Sequence, residues 1–298
     1  MSIDEMSESV TSRSGDAWRI RKGHLASRVG LAMTTGIVAV GAAFMLLPFV
    51  WTALTAHKTW KEIHRLPITW LPDNLLNLEN YSKLVTEYPT LRWLGNSIVV
   101  SAAAIVSSLV FCSIAGYAFA KLRFRGRDLC FLGVLAVLMM PFEVTFLPLF
   151  LIASKLHLVN TYVGLIGPNF MSAIGVFIMR QFFQSIPNDY LDAARADGAS
   201  EVQIFCRIAL PCAIPAIVTV AVLKFILSWN SFLWPLVMAQ DESMMTLTVG
   251  MQTFVQLHIV DYCLLTASAT LSVVPLVILF IVAQRWIISG MITSGLKG

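Results

Sequence analysis

Residues 191–215 read LDAARADGASEVQIFCRIALPCAIP, a polar, alanine-rich stretch that runs directly into an apolar one. The pattern predicts two short helices. Gly198 is placed to end the first, because glycine readily adopts the left-handed angles of a helix end. Ser200 is placed to cap the second, with Glu201 in its positive first turn, and Pro211 is expected to end it. Val202, Phe205 and Ala209 form the predicted apolar stripe of the second helix. The stretch therefore predicts a short amphipathic helical hairpin.

The composition around this hairpin is that of a membrane protein. Hydrophobic residues make up 57% of the 298 residues and charged residues 13%, whereas soluble domains carry about 25% charged residues. A spanning helix needs about 20 mostly apolar residues, and six segments meet that requirement. They lie near 31–54, 96–120, 129–152, 160–179, 212–239 and 263–287. We predict an all-α, polytopic membrane protein with six transmembrane helices and the hairpin between spans four and five.

The basic residues predict the orientation of the chain. With the amino terminus in the cytoplasm, fourteen of the 21 Lys and Arg residues fall in inner segments and six in outer loops, and Lys224 lies within a span. Because Lys and Arg accumulate on the cytoplasmic side, both termini are predicted to be cytoplasmic. The predicted layout is a cytoplasmic segment 1–30, a six-span domain 31–288 containing the hairpin loop 181–211, and a cytoplasmic tail 289–298.

The chain lacks the motifs that would make it an enzyme by itself. It contains no G-x-x-x-x-G-K-[ST] phosphate loop, no G-x-S-x-G and no G-x-G-x-x-G, so it is not expected to hydrolyse ATP or to bind a cofactor. The five cysteines show no C-x-x-C and the five histidines are scattered, which predicts no metal site. The basic residues lie beside span ends, where they set topology, so no nucleic acid is expected as a partner.

Two ionisable residues, Glu143 and Lys224, fall inside predicted spans. Such groups usually face a protein interior or a water-filled cavity. Pro141 and Pro148 flank Glu143, so this helix is expected to be bent or broken. Glu143 either lines a solute path or makes a structural contact at the bend, and both readings stay open. Lys224 is expected to extend its chain to the membrane interface.

Three further residues are candidates for a solute path. Trp229 and Asn230 combine an aromatic face with an amide, which suits a sugar because its C–H faces pack on rings while its hydroxyls seek hydrogen bonds. Asn169 needs a polar partner in lipid, and it either joins the path or bridges helices. The nearby Trp234 could contact the solute in the same way, but it fits a membrane-interface anchor equally well.

The hairpin also carries a resemblance. Its pattern D-A-A-x-x-D-G-A followed by F-x-x-I-x-L-P, at 192–211, resembles the cytoplasmic coupling loop of the membrane subunits of bacterial ABC importers. Asp192 departs from the usual glutamate by one methylene, which keeps the charge and shortens the reach. The stretches MPFEVTFLP at 140–148, SWNSFLWP at 228–235 and TSGLKG at 293–298 are similar to the carbohydrate-uptake branch, with a layout like the smaller membrane subunit of the maltose transporter.

The resemblance implies a permease subunit of a bacterial inner-membrane importer for a sugar or a sugar-like polar solute, such as an oligosaccharide, a disaccharide or a glycerophosphodiester. It implies a second homologous permease subunit, two ABC ATPase subunits that hold ATP and Mg, and an extracytoplasmic solute-binding protein. It further implies that part of the hairpin seats against the ATPase. The residues implied in this coupling are Asp192, Ala193, Ala194, Asp197, Gly198, Ala199, Phe205 and Pro211.

Two other interpretations compete with this one. A proton-coupled secondary transporter would use Glu143 as its titrating carboxylate, but it needs no coupling hairpin and commonly shows repeated halves, which are not visible here. Alternatively the hairpin is an interfacial helix lying on lipid, which favours Lys and Arg on its polar face. Between 181 and 211 only Arg195 and Arg207 are basic, against four acidic residues, so protein docking is favoured.

Overall fold

A computed structural model describes residues 30–255 and 260–295, with side chains described as far as Gln284. The predicted amino-terminal segment before Gly30 and residues 296–298 of the predicted tail lie outside the described residues. The chain divides into two units, Met1–Leu54 and Thr55–Gly298. The first unit contains most of helix α1 (Gly30–Thr55), whose mean hydropathy of 2.2 suits a membrane span.

The second unit is built from helices. In chain order they are α2 (Trp60–Ile63), α3 (Glu79–Thr86), α4 (Thr90–Lys121), α5 (Arg127–Leu138), α6 (Phe142–Lys155), α7 (Tyr162–Ile166), α8 (Ala173–Ser185), α9 (Asn188–Ala196), α10 (Glu201–Ile204), α11 (Leu210–Cys212), α12 (Ile214–Trp229), α13 (Leu233–Met238), α14 (Leu247–Gly250) and α15 (Tyr262–Gly295). Short 3-10 turns cover Gly167–Asn169, Glu242–Met244 and Met251–Phe254, and a π-helical turn covers Phe205–Ala209. The described β pairing is an isolated bridge between Val255 and Val260.

The helices confirm the predicted class of an all-α polytopic membrane protein. By length and composition α1, α4 and α15 can each cross a membrane alone, and three bent pairs meet the same test when each pair is taken together. The pairs are α5 with α6, bent by 101°, α7 with α8, bent by 48°, and α10–α11 with α12, bent by 76°. The described chain therefore has three spans, or up to six if each pair is one span, and the count of six stays a prediction.

Prolines account for one of the breaks. Pro141 precedes the first residue of α6 with an extended backbone, and since proline has no N–H and restricts the residue before it, the helix stops at Leu138. This confirms the break expected beside Glu143. The predicted fifth span, 212–239, is wrong in its extent: α12 ends at Trp229, because the chain turns out of helical geometry between Asn230 and Phe232 before α13 begins.

Helix α4 is the centre of the second unit and packs most extensively on α8 and then on α12, which in turn packs on α15. Small residues allow the close contact with α8: a Cβ added to Gly116 would come within 2.6 Å of the Met179 Cβ, and one added to Gly175 within 2.8 Å of the Cys112 sulfur. Close helix approach at small residues is typical of membrane bundles. The carboxyl end of α4 reaches α9 and α10, whereas its amino end reaches α14 and the 3-10 turn Glu242–Met244.

Candidate coupling site

The site begins with two short helices, α9 and α10, which are separated by a turn at Gly198. Helix α9 ends at Ala196, and Gly198 has a φ of +83°, an angle that other residues adopt at a cost. The Ser200 side chain accepts a hydrogen bond from the Gln203 backbone N–H, and the Gln203 side-chain oxygen accepts one from the Ser200 backbone N–H. This reciprocal capping box confirms Ser200 as the cap, and Glu201 lies in the first turn as expected.

The end of the second helix differs from the prediction. Pro211 does not stop it, because the chain passes through the π-helical turn and Pro211 lies in the first turn of α11, where a proline is tolerated. The direction changes only at Ala213, which leads into α12 after a bend of 76°. Residues from Glu201 to Cys212 are therefore helical as far as the bend, and α12 follows the bend directly.

The buried side of the site is also shifted from the expected apolar stripe. Val202, expected to face inward, is 71% exposed, whereas Leu191, Ile204 and Ala209 are buried. Ile204 and Ala209 are five residues apart, the spacing that a π-helical turn brings to one face. The π-helical turn therefore moves the buried stripe away from Val202.

The predicted coupling residues divide into an exposed and an inward set. Ala194, Ala199 and Phe205 are half-buried and pack on the buried cluster around Leu191. The exposed set, called the outer face from here on, consists of Asp192, Ala193, Asp197, Gly198 and Pro211.

Arg195 joins the two helices of the site. Its Nη1 lies 2.5 Å from Asp192 Oδ1 and its Nε lies 2.7 Å from Glu201 Oε1. The hydrogen bonds to Glu201 and Asp192 raise the pKa of the guanidinium above its usual value. Glu201 also accepts a hydrogen bond of 3.0 Å from the Tyr117 hydroxyl of α4. A chain of polar contacts thus runs from the outer face to the membrane bundle.

The last two turns of α4 hold both helices of the site. Lys121 Nζ donates to the Ile186 carbonyl at 2.6 Å and to Asn188 Oδ1 at 2.8 Å, at the start of α9. The Tyr117 ring contacts Phe205, with centroids 5.1 Å apart, and Phe183, with centroids 5.6 Å apart. The site is therefore fixed to α4 and α8 by polar and aromatic contacts together.

Sequence reasoning missed Arg195, Tyr117 and Lys121 as members of the site. The Asp192–Arg195 pair had a local signal, because opposite charges three residues apart meet on a helix surface. Tyr117 had none, since it lies 84 positions from Glu201.

The four predicted path residues are not joined by any hydrogen bond within the described chain. Glu143 is exposed in the first turn of α6, and Asn230 is exposed and donates to the Ile226 carbonyl. Trp229 is 2% exposed and donates to the Ser272 carbonyl at 3.1 Å, so its indole packs between α12 and α15. Asn169 is half-buried. Their part in a path stays a prediction, as do both readings of Glu143.

The position of the Lys224 side chain shows that the expected contact with the membrane interface is wrong. Lys224 is 6% exposed, and its Nζ lies 3.1 Å from Asn169 Oδ1. The side chain therefore points into the bundle, because an amide partner is available there, and does not extend to the membrane interface.

Within the described residues, no group of three or more His, Cys, Asp or Glu is placed to hold a metal ion.

Fold and site together define a multi-helix membrane protein with a polar helical element fastened to one end of its bundle. The chain belongs to the family described as binding-protein-dependent transport system inner membrane component, whose model matches residues 108–293. This membership confirms the resemblance noted from the sequence. The chain is a membrane permease subunit of an ABC importer in the bacterial inner membrane.

Relatives and a solved structure agree with the family. The chain is 40% identical to the arabinooligosaccharides transport system permease protein AraQ of Halalkalibacterium halodurans, over 88% of this chain and 96% of that protein. It is 31% identical to the sn-glycerol-3-phosphate transport system permease protein UgpE of Brucella abortus, over 87% of this chain and 94% of that protein. Its fold is similar to a chain of a bacterial ABC transporter that imports the acidic polysaccharide alginate, with a TM-score of 0.77 and 22% identity over 88% of this chain and 98% of that chain.

Proposed function

We propose that this permease subunit imports a sugar or a sugar-like polar solute: an oligosaccharide, a disaccharide or a glycerophosphodiester. Its relatives support this class, since their names give arabinooligosaccharides, sn-glycerol-3-phosphate and lactose as the solutes of their systems. The complex would contain a second homologous permease subunit, two ATPase subunits and a solute-binding protein outside the membrane.

We further propose that the outer face docks on an ATPase subunit on the cytoplasmic side, where both termini also lie. ATP and Mg would be held by that partner, because this sequence contains no phosphate-binding loop. This chain would bind no cofactor and catalyse no reaction. The family membership supports an ATP-driven importer over the proton-coupled alternative.

The Asp192–Arg195–Glu201–Tyr117 chain of contacts carries this proposal. Docking alone would need only an exposed surface, but coupling needs a surface that cannot move without the spans. Arg195 binds both helices of the site, Tyr117 binds α10 to α4, and α11 leads directly into α12. When the ATPase subunits close on ATP, a displacement of the outer face would be passed to α4 and α12 together.

Solute uptake tests the proposal. The complex is reconstituted in vesicles with its ATPase, its second permease subunit and its binding protein, and labelled arabino-oligosaccharide, disaccharide or glycerophosphodiester is supplied. We expect uptake that requires ATP on the ATPase side and that survives a protonophore. Uptake that follows the proton gradient without ATP would refute the proposal, and ATP-driven uptake of an unrelated solute class would refute the assigned substrate.

A further inference from the structure

Lys224 of α12 is a buried cation within a predicted span. It is 6% exposed, and the hydrogen bond described for its Nζ goes to the neutral amide oxygen of Asn169. None of the ion pairs in the described part of the chain involves it. Because a charge in the membrane interior is costly and usually serves a function, a buried lysine that makes no ion pair among the described residues points to a role beyond stability.

Burial excludes direct contact between Lys224 and a passing solute in this conformation. Residues that line a path between two permease subunits would be exposed when one subunit is considered without the other. Lys224 is covered within its own chain, on a helix that packs on α4 and α8. Its effect must therefore pass through the residue that it binds.

Asn169 ends the 3-10 turn Gly167–Asn169 at the break between α7 and α8, where the chain bends by 48°. A second contact holds the other side of this break, because the Cys112 sulfur of α4 donates to the Ser172 carbonyl at 3.3 Å. Residues 169–172 are thus fastened to α12 by Lys224 and to α4 by Cys112. These are the two helices that the coupling site also engages.

We infer that Lys224 is a positioning residue, which makes the α7–α8 break follow α12 when the coupling site moves. The inference rests on the proposed function, since it assumes that ATPase closure displaces the outer face. Helix α12 receives that displacement through α11, and the Lys224–Asn169 hydrogen bond carries it across to the break. Without this bond, α12 moves while the break stays behind.

The test is the ratio of solute imported to ATP hydrolysed by the full reconstituted complex. Lys224→Met keeps the length of the side chain and removes the donor. We expect ATP hydrolysis close to the wild-type rate and an uptake reduced by about tenfold, the factor expected for a lost hydrogen bond to a charged group. Lys224→Arg keeps a donor and should restore most of the ratio. A merely structural role would lower assembly, hydrolysis and uptake together.

Two further variants keep the test decisive. Lys224→Met combined with Asn169→Leu replaces the polar pair by apolar groups, which buried sites often tolerate, and it should assemble normally and show the same low ratio. Trp93→Phe is the matched control, because it removes another indole hydrogen bond of a buried tryptophan, from Trp93 to the Glu242 carbonyl at 3.0 Å, away from the α7–α8 break. Its ratio should stay at the wild-type value.

A wild-type ratio in the double variant would overturn the inference, as would an equal loss of coupling in Trp93→Phe. Failure of the proposed function looks different, because the wild-type complex itself would then show no ATP-driven uptake. The two ideas are therefore judged by separate measurements.

Discussion

The Tyr117 hydroxyl lies 3.0 Å from Glu201 Oε2, although the two residues are 84 positions apart in the chain. This hydrogen bond fixes the start of α10 to the carboxyl end of α4. Lys121, one turn further along α4, fixes the start of α9 in the same way. One membrane helix therefore holds both helices of the coupling site.

Tyr117→Phe tests this attachment while keeping the ring contacts with Phe183 and Phe205. Since a net hydrogen bond contributes about 1 kcal/mol, and more when one partner is charged, we expect the free energy of unfolding to fall by about 1–2 kcal/mol and ATP-driven uptake to fall with it. Thermal unfolding and vesicle uptake measure the two effects. Tyr162→Phe is the control, because it removes a 2.6 Å hydrogen bond to Asn96 at the other end of α4. It should lower stability and leave ATP-driven uptake intact.

Arg195→Met removes the link between α9 and α10. The ion pairs with Asp192 and Glu201 are partly exposed, so their loss should change the free energy of unfolding by only about 0.5 kcal/mol per pair. Co-purification with the ATPase should nevertheless fall strongly, because the two helices are no longer held in one geometry. Lys83→Met breaks a similar exposed pair with Glu79 away from the site, and it should co-purify normally. Normal ATPase association of Arg195→Met would contradict the role given to Arg195.

Gly116→Ala tests the close crossing of α4 and α8. The added Cβ would lie 2.6 Å from the Met179 Cβ and 2.9 Å from the Arg180 backbone nitrogen, so the helices must separate. Overpacking of this kind costs about 1–3 kcal/mol, which should appear as a lower unfolding temperature. Gly95→Ala in the same helix meets no atom within 4 Å and should be neutral or slightly stabilising. Equal behaviour of the two variants would show that the crossing is not as close as described.

Gly198→Pro tests the turn between α9 and α10. Proline fixes φ near −65°, whereas Gly198 has a φ of +83° and donates its N–H to the Arg195 carbonyl at 3.0 Å. We expect membrane insertion without ATPase association, measured by co-purification. Gly126→Pro imposes a similar strain, at a φ of +82°, in the turn before α5, outside the outer face. The Gly126→Pro variant should still associate with the ATPase.

Local features of the coupling site were predictable because their causes are local. The left-handed Gly198, the Ser200 cap and the break at Pro141 each follow from the residue at that position and its close neighbours. The apolar composition likewise predicted the membrane class. These predictions needed no knowledge of which helices meet.

The features that escaped prediction depend on distant contacts or on helix register. The π-helical turn Phe205–Ala209 moved the buried stripe from Val202 to Ile204, and no sequence period announces such a turn. Lys224 was expected at the membrane interface. Its hydrogen-bond partner Asn169 is 55 positions away, so no local pattern indicated the contact. The hydrogen bond from the Trp229 indole to the Ser272 carbonyl of α15 likewise joins residues 43 positions apart, and the part of Trp229 in a path stays a prediction.

Site-specific photo-crosslinking tests the central claim most directly. A photoreactive amino acid replaces Ala193 on the outer face, and another replaces Val85 of α3, an exposed residue away from the coupling site. In the assembled complex, we predict an adduct between position 193 and an ATPase subunit, and none with the ATPase from position 85. An adduct of position 193 with lipid alone, or with the solute-binding protein, would contradict the account.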